Sequence, residues 1–408
     1  MLTYPNRFLQ SYLSIWLIFV FITSVVFIPS IKGTTPAYLL SFVALPFIFL
    51  FSKHNSVKVF GILALTLGYF FFHNLISQII VLFYQNDLPS FDKITLISND
   101  SKVVFRKSLF TQSLYFFVSI IFFSVVAIFY SEDKHDRFIK IGLIILIIYG
   151  FYEIIFYQVF GYGGDFLTNR YFGEDASGSR FQTMSFGGYR FMRFKSLTGE
   201  PSMFAFSVLP YFMFFFHKRK MLFSIVLLVS IILSFSTSAV LGLGFYLIAR
   251  LIIYGISNKA NFYIGISIII ALVLFGGFFY EVIEELVIKK FSEQNYSGSV
   301  RMGNFRNHLA FFADSPVAIK LFGVGFGYVR STDFFTTLLI NIGIVGFILY
   351  SILFLYPVIF LRKSYENMGI KLGLLTTYML IMIAVPEYAY FSIWLLLGIA
   401  YNKLIYKF

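Results

Sequence analysis

Arg180, Arg190, Arg193 and Lys195 follow one another with no acid between them. Arg190 and Arg193 are three apart and would share one face of a helix. Planar guanidinium forks match phosphate oxygens well; the plainer reading is a solvated or headgroup-binding patch. Glu200 comes next, in Thr198-Gly199-Glu200-Pro201-Ser202. Pro201 suits the first turn of a helix, so Glu200 falls near a helix N-terminus, where negative charge is favoured. That placement is reason enough for a carboxylate. The chemical reading is a base that accepts a proton from a hydroxyl. Nearby cations favour the ionised form, so its pKa is expected to stay near the ordinary value, about 4 to 5. A second group holds Arg301, Arg306 and His308. Arg301 and His308 are seven apart and share a helix face well; Arg306 shares it loosely. His308 is a candidate base or phosphate donor, or an ordinary surface histidine. Gly323-Val324-Gly325-Phe326-Gly327 lacks the ending of a nucleotide-binding loop and reads as a tight turn.

These residues must be positioned by an unusual chain. It has 408 residues, 59% hydrophobic and only 12% charged, where a soluble domain carries about 25% charged residues. Such a surface needs lipid around it. The chain has no cysteine, which excludes thiolate catalysis, disulfides and cysteine metal sites. The five histidines show no metal-ligand spacing, and neither a metal nor another cofactor is expected. The net charge of +13 lies largely in short loops between apolar runs. That pattern marks membrane topology and not a nucleic-acid partner.

A membrane-spanning helix needs about 20 apolar residues. Candidate spans are 11–29, 36–51, 59–84, 111–130, 139–160, 202–216, 221–236, 238–255, 262–280, 333–361, 371–385 and 389–405. The first reads as a retained span and not a removed signal peptide. The run 333–361 is too long to cross without tilting or lying partly along the membrane. The expected fold is an all-α polytopic membrane protein, one domain over 1–408, with about 12 transmembrane helices (11–13). Alternating sides places Arg7, Lys53, Lys58, Lys134, Arg137, Lys140, Lys218, Arg219, Lys220, Arg250, Lys259, Arg362, Lys363, Lys371, Lys403 and Lys407 on one face, with Lys32 the exception on an outer turn. By the positive-inside rule that face is cytoplasmic, as are both termini. Loops 85–110, 161–201 and 281–332 then lie outside, the last two being the large extracytoplasmic loops that hold the arginines. Glu153, inside the fifth span, is costly there and is expected to pair with an arginine or line a cavity.

With these motifs in order, the chain resembles the bacterial O-antigen and capsule repeat-unit polymerases (Wzy type), within the superfamily they share with O-antigen ligases. The likeness covers residues 130–390. It rests on the arginine-bearing loop that leads into Ser196-Leu197-Thr198-Gly199-Glu200-Pro201-Ser202 and a span, on the Ser236–Ala239 turn, and on the second loop with Arg301, Ser315-Pro316 and Leu321–Gly327. The resemblance implies glycosyl transfer between undecaprenyl-diphosphate-linked oligosaccharides, in a bacterial inner membrane, with the active site on the periplasmic side and a chain-length regulator as partner. It implies that Arg180, Arg190, Arg193, Arg301 and Arg306 bind diphosphate or sugar, and that Glu200 or His308 is catalytic. The family's spacing of an arginine and a glycine with ten residues between is absent, since it leads here to Pro201 and Phe312. Two rival readings are an O-antigen ligase that passes glycan to lipid A core, and a polysaccharide flippase or transporter.

Overall fold

The computed structural model describes residues 7–29, 31, 33–98, 100, 102–170, 182–186, 189–255, 280, 284, 288, 292 and 296–406. Arg180 and nearly all of the expected span 262–280 lie outside the described residues. Helices α1 (Arg7–Phe19), α2 (Pro36–Phe51), α3 (Lys53–Tyr84), α4 (Lys107–Phe129) and α5 (Glu132–Phe160) precede the first large loop. After it come α6 (Pro201–His217), α7 (Met221–Leu233) and α8 (Thr237–Tyr254). Two helices, α9 (Tyr296–Asp314) and α10 (Val317–Phe322), precede the final group: α11 (Phe334–Phe360), α12 (Tyr365–Ile383) and α13 (Phe391–Ile405).

Five described helices are long and apolar enough to cross a membrane: α3, α4, α5, α8 and α11. Four more, α2, α6, α7 and α13, are apolar but shorter. The protein is a mostly helical, membrane-embedded bundle. Helix α6 is its axis. Every residue from Met203 to Phe215 is buried, as suits a helix that is apolar all round, and α7, α8 and α12 pack against it. Helices α4 and α13 form a second buried pair. Outer helices instead expose Leu65 and Phe83 on α3, Leu222 and Ile225 on α7, and Ile248 and Ile252 on α8. Hydrocarbon suits such faces, because helices already satisfy their own backbone groups.

The structure adds to the sequence expectations in three places. The first expected span stops at Phe19, and the apolar run beyond it is irregular. Its backbone is satisfied by other segments: the amides of Thr23 and Ser24 donate to the Leu197 carbonyl at 3.1 and 3.0 Å. Val26 and the Asn169 amide exchange two bonds of 2.7 Å. Non-helical backbone inside a membrane protein needs protein partners of this kind. Second, the first large loop adds a short hairpin of β1 (Thr183–Phe186) and β2 (Tyr189–Met192) to a bundle that is compatible with the expected all-α membrane class. Third, the overlong 333–361 run is broken within α11 at Gly343, at φ 63° and ψ −172°.

That break explains the glycine-rich run. Gly323, at φ 75° and ψ −178°, ends α10 against the break. A Cβ on Gly323 would stand 2.4 Å from the Asn341 carbonyl, and one on Gly343 would stand 2.3 Å from the Leu321 oxygen. The amides of Val324 and Gly325 donate to the carbonyls of Ile340 and Asn341, both at 2.8 Å. Both glycines occupy a backbone region that other residues essentially never adopt. Gly343→Ala is therefore expected to destabilise the protein by about 3 kcal/mol or more, by strain and by clash together. Thermal unfolding in detergent would measure it; an unchanged midpoint would remove the close approach from the account.

Candidate active site

The first large loop is tied down at its base by a buried ion cluster. Lys195 lies 2.9 Å from Glu153 on α5 and also pairs with Asp165; Lys195 is 0% exposed and the two carboxylates 1%. Burial alone would raise the Asp165 carboxyl, but Lys195 and the bonds from Thr168 overcome it and hold its pKa below the ordinary value. Lys195 thus leaves the cationic run that the sequence suggested, and Glu153 pairs with a lysine and not an arginine. Lys195→Met would strand two buried carboxylates. A loss of about 3 to 5 kcal/mol is expected, read as a lower unfolding temperature. A melt within a degree of the native protein would mean that the cluster contributes no net stability.

The Ser196-Leu197-Thr198-Gly199 turn is buried and makes its own bonds. Ser196 Oγ donates to the Leu146 carbonyl at 2.7 Å, and Thr198 Oγ1 to Lys195 O at 2.6 Å. It ends in Glu200, the residue before α6, with Pro201 at the first helical position. The Glu200 side chain makes no capping bond to that helix; its neighbour is Ser202 Oγ at 3.4 Å from Oε2. Helix capping therefore does not account for it. The expectation of an ordinary pKa is also corrected. Burial raises the Glu200 pKa first and Glu387 raises it further, while Ser202, Arg301 and Arg193 only partly offset this.

Two arginines expected to bind substrate meet at one cavity. Arg193 donates through Nε to Ser234 O at 3.1 Å, through Nη2 to Phe235 O at 2.8 Å, and through Nη1 to Gln182 at 3.2 Å. It clamps the end of α7, where the chain turns into α8 with Ser236 Oγ accepting from the Ala239 amide at 3.1 Å. Burial lowers the Arg193 pKa to about 10, with Glu200 opposing. Arg301 comes from α9 and donates to Ala384 O, at the end of α12, at 2.9 Å, where a cation complements the helix dipole. Surrounding protein lowers its pKa, and Glu200 and Asp333 oppose this. Both arginines line a cavity of about 410 Å³ with Ser202, Ser236, Phe305 and Asp333.

The other expected residues fall elsewhere. Arg190 stands exposed on the hairpin, paired in register with Ser185. Arg306 is exposed on α9 and lies outside the cavity lining. His308 is fully buried, its Nδ1 at 2.7 Å from the Asn304 carbonyl one turn back. Burial lowers its pKa, and it does not reach the cavity lining. Arg301 and His308 both lie on α9, but Arg301 is exposed and lines the larger cavity, whereas His308 is buried.

Sequence reasoning missed Arg330, Glu387 and Arg170. Arg330 pairs with Glu387, which sits between α12 and α13. Glu387 raises the Arg330 pKa, and Glu200 adds to the effect. Arg170 Nη1 donates to Thr23 O at 3.1 Å. These three residues line a second cavity, of about 330 Å³. Only the turn Pro386–Tyr388 carried a signal in the sequence, an acid at a span boundary. No family model, curated protein or solved structure matches this chain. The chemistry of the site therefore rests on its own residues. A half-buried carboxylate, Glu200, feels the charge of Arg193 and Arg301 from separate loops, and both arginines line the larger cavity. Such an arrangement can hold an anionic leaving group and receive a proton from an attacking hydroxyl.

Proposed function

We propose that the protein is a membrane glycosyltransferase that polymerises undecaprenyl-diphosphate-linked oligosaccharide repeat units into a surface polysaccharide such as O-antigen or capsule. The observation that carries this reading is the meeting of Arg193 and Arg301 at one cavity, from two loops far apart in the chain, beside Ser202, whose hydroxyl neighbours the Glu200 carboxylate, and with both arginines acting electrostatically on Glu200. The glycan on one carrier is the donor, and the terminal sugar of a second carrier-linked unit is the acceptor. The acceptor hydroxyl attacks the donor's anomeric carbon, its proton passes to the Glu200 carboxylate, and the anomeric C–O bond to diphosphate breaks. The carrier diphosphate departs with the bonding electrons, and fixed positive charge from Arg301 and Arg193 stabilises it. A substrate anchored in lipid accounts for a site at the end of a membrane bundle.

In this reading the bundle crosses a bacterial inner membrane about twelve times, both termini are cytoplasmic, and the arginine-bearing loops face the periplasm. A chain-length regulator of the same pathway is the natural protein partner. The buried position of His308 favours a polymerase over a ligase that would use that histidine. The test is gene deletion followed by glycan analysis. Single repeat units in place of polymer support the proposal. Long polymer stranded on its carrier would identify a ligase instead, and unaltered glycan would end the reading.

A further inference from the structure

The two cavities differ in chemistry. The larger is lined by Arg193, Arg301, Met302, Phe305, Leu241 and Ile383, with no tyrosine among the described residues of its lining. The smaller is ringed by Tyr38, Tyr115, Tyr388 and Tyr390. Its amide groups are Gln112 and Asn341, and its charges are Arg170, Arg330 and Glu387. Arg330 and Glu387 form a direct ion pair, so much of the charge there is already compensated. Gln112 Oε1 accepts from the Tyr388 hydroxyl at 2.8 Å, which fixes both at the wall. The size, about 330 Å³, is at the small end of ligand pockets, which run from about 300 to 1,000 Å³.

Tyrosine faces alternating with planar amide, carboxylate and guanidinium groups suit a neutral polyhydroxylated ligand. Its C–H faces pack on rings, and its hydroxyls meet fixed donors and acceptors. A diphosphate gains less there, because Arg330 is already paired. Glu200 lies outside the lining, but its charge acts on two residues of that lining, Arg330 and Tyr390.

We infer that the smaller cavity is a carbohydrate site that takes the terminal sugar of the acceptor glycan, while the larger cavity takes the donor's diphosphate. The inference rests on the glycosyl-transfer reading and assigns that reaction's two substrates to separate residues. It makes Arg330 and Glu387 binding residues for sugar.

The experiment uses the full-length protein in lipid nanodiscs and two soluble probes. One is the free repeat-unit oligosaccharide, released by mild acid from the lipid-linked units of the deletion strain. The other is inorganic diphosphate. Binding of each is measured by calorimetry to native protein and to Arg330→Ala, Tyr115→Trp and Arg301→Ala. Tyr115→Trp adds bulk to the wall and leaves the ion pair intact, so it tests the cavity without removing charge. The expected result is at least a tenfold loss of oligosaccharide affinity in Arg330→Ala and Tyr115→Trp, and less than a twofold change in Arg301→Ala. Diphosphate should show the reverse pattern. Suppose diphosphate depends on Arg301 while oligosaccharide ignores both smaller-cavity variants, or is lost in Arg301→Ala. The sugar assignment is then overturned and glycosyl transfer stands. If neither probe binds the native protein, the glycosyl-transfer reading itself fails.

Discussion

Arg301→Ala is expected to abolish polymer while the protein still inserts and folds, leaving single lipid-linked repeat units. Arg301 reaches the larger cavity from α9 and feels Glu200 directly. Removing one preorganised charge from a developing anion typically costs about 100- to 1,000-fold in rate, or about 3 to 4 kcal/mol. A polymerase slowed that far no longer extends chains at the rate units arrive. Arg301→Lys should retain part of the activity, since it keeps the charge and loses the forked geometry. The bond from Arg301 to the Ala384 carbonyl is a structural contribution, worth about 1 to 2 kcal/mol. Melting temperature and membrane yield should therefore fall only slightly. Arg190→Ala is the contrasting variant. Arg190 is exposed on the hairpin and lines neither cavity, so polymer should persist. Equal loss in both variants would point to the loops as a general cationic surface and remove the cavity from the account.

Glu200→Gln should lower the transfer rate by about 100- to 10,000-fold, the usual contribution of a positioned base. Its pH signature separates chemistry from structure. Burial and Glu387 raise the Glu200 pKa, and a base works only when ionised. The acid limb of the native rate profile should therefore lie above the ordinary carboxylate range, with activity rising as pH climbs through the raised value. Stability should move the other way. A group with a raised folded-state pKa contributes stability that is full below its unfolded pKa and is lost as pH rises through the folded one. Native protein should thus weaken from acid toward neutral pH. Glu200→Gln should lose that dependence and melt no lower at neutral pH, although it is inactive. A variant that is inactive and also markedly less stable at neutral pH would mark Glu200 as a structural residue, contrary to its role as base.

Much of this could be read from residues alone. Hydropathy belongs to each segment independently, so α3, α5, α6, α7 and α8 stand within a few residues of the expected spans where both begin or end, apart from early helical turns at Lys53 and Glu132. The two arginine-bearing loops and Glu200 before a proline were legible too, because composition and local spacing are one-dimensional. Partnership across the fold was not. Glu153 and Lys195 are held by a loop that folds back over α5, and Arg330 finds Glu387 from another part of the chain. No spacing rule links such pairs. The same limit hid the roles of single residues. Arg193 and Arg301 look alike in sequence, yet one clamps α7 and the other ends α12. His308 looked available until α9 turned its face inward. The end of α1 at Phe19 and the break at Gly343 were hidden as well, because apolar residues fill helix and loop equally well. What ends those helices is hydrogen bonding to Leu197 and the close approach of Gly323. Side-chain chemistry determined what the protein can bury and where charge gathers; only three-dimensional contact decided which charges neutralise one another and which face a cavity.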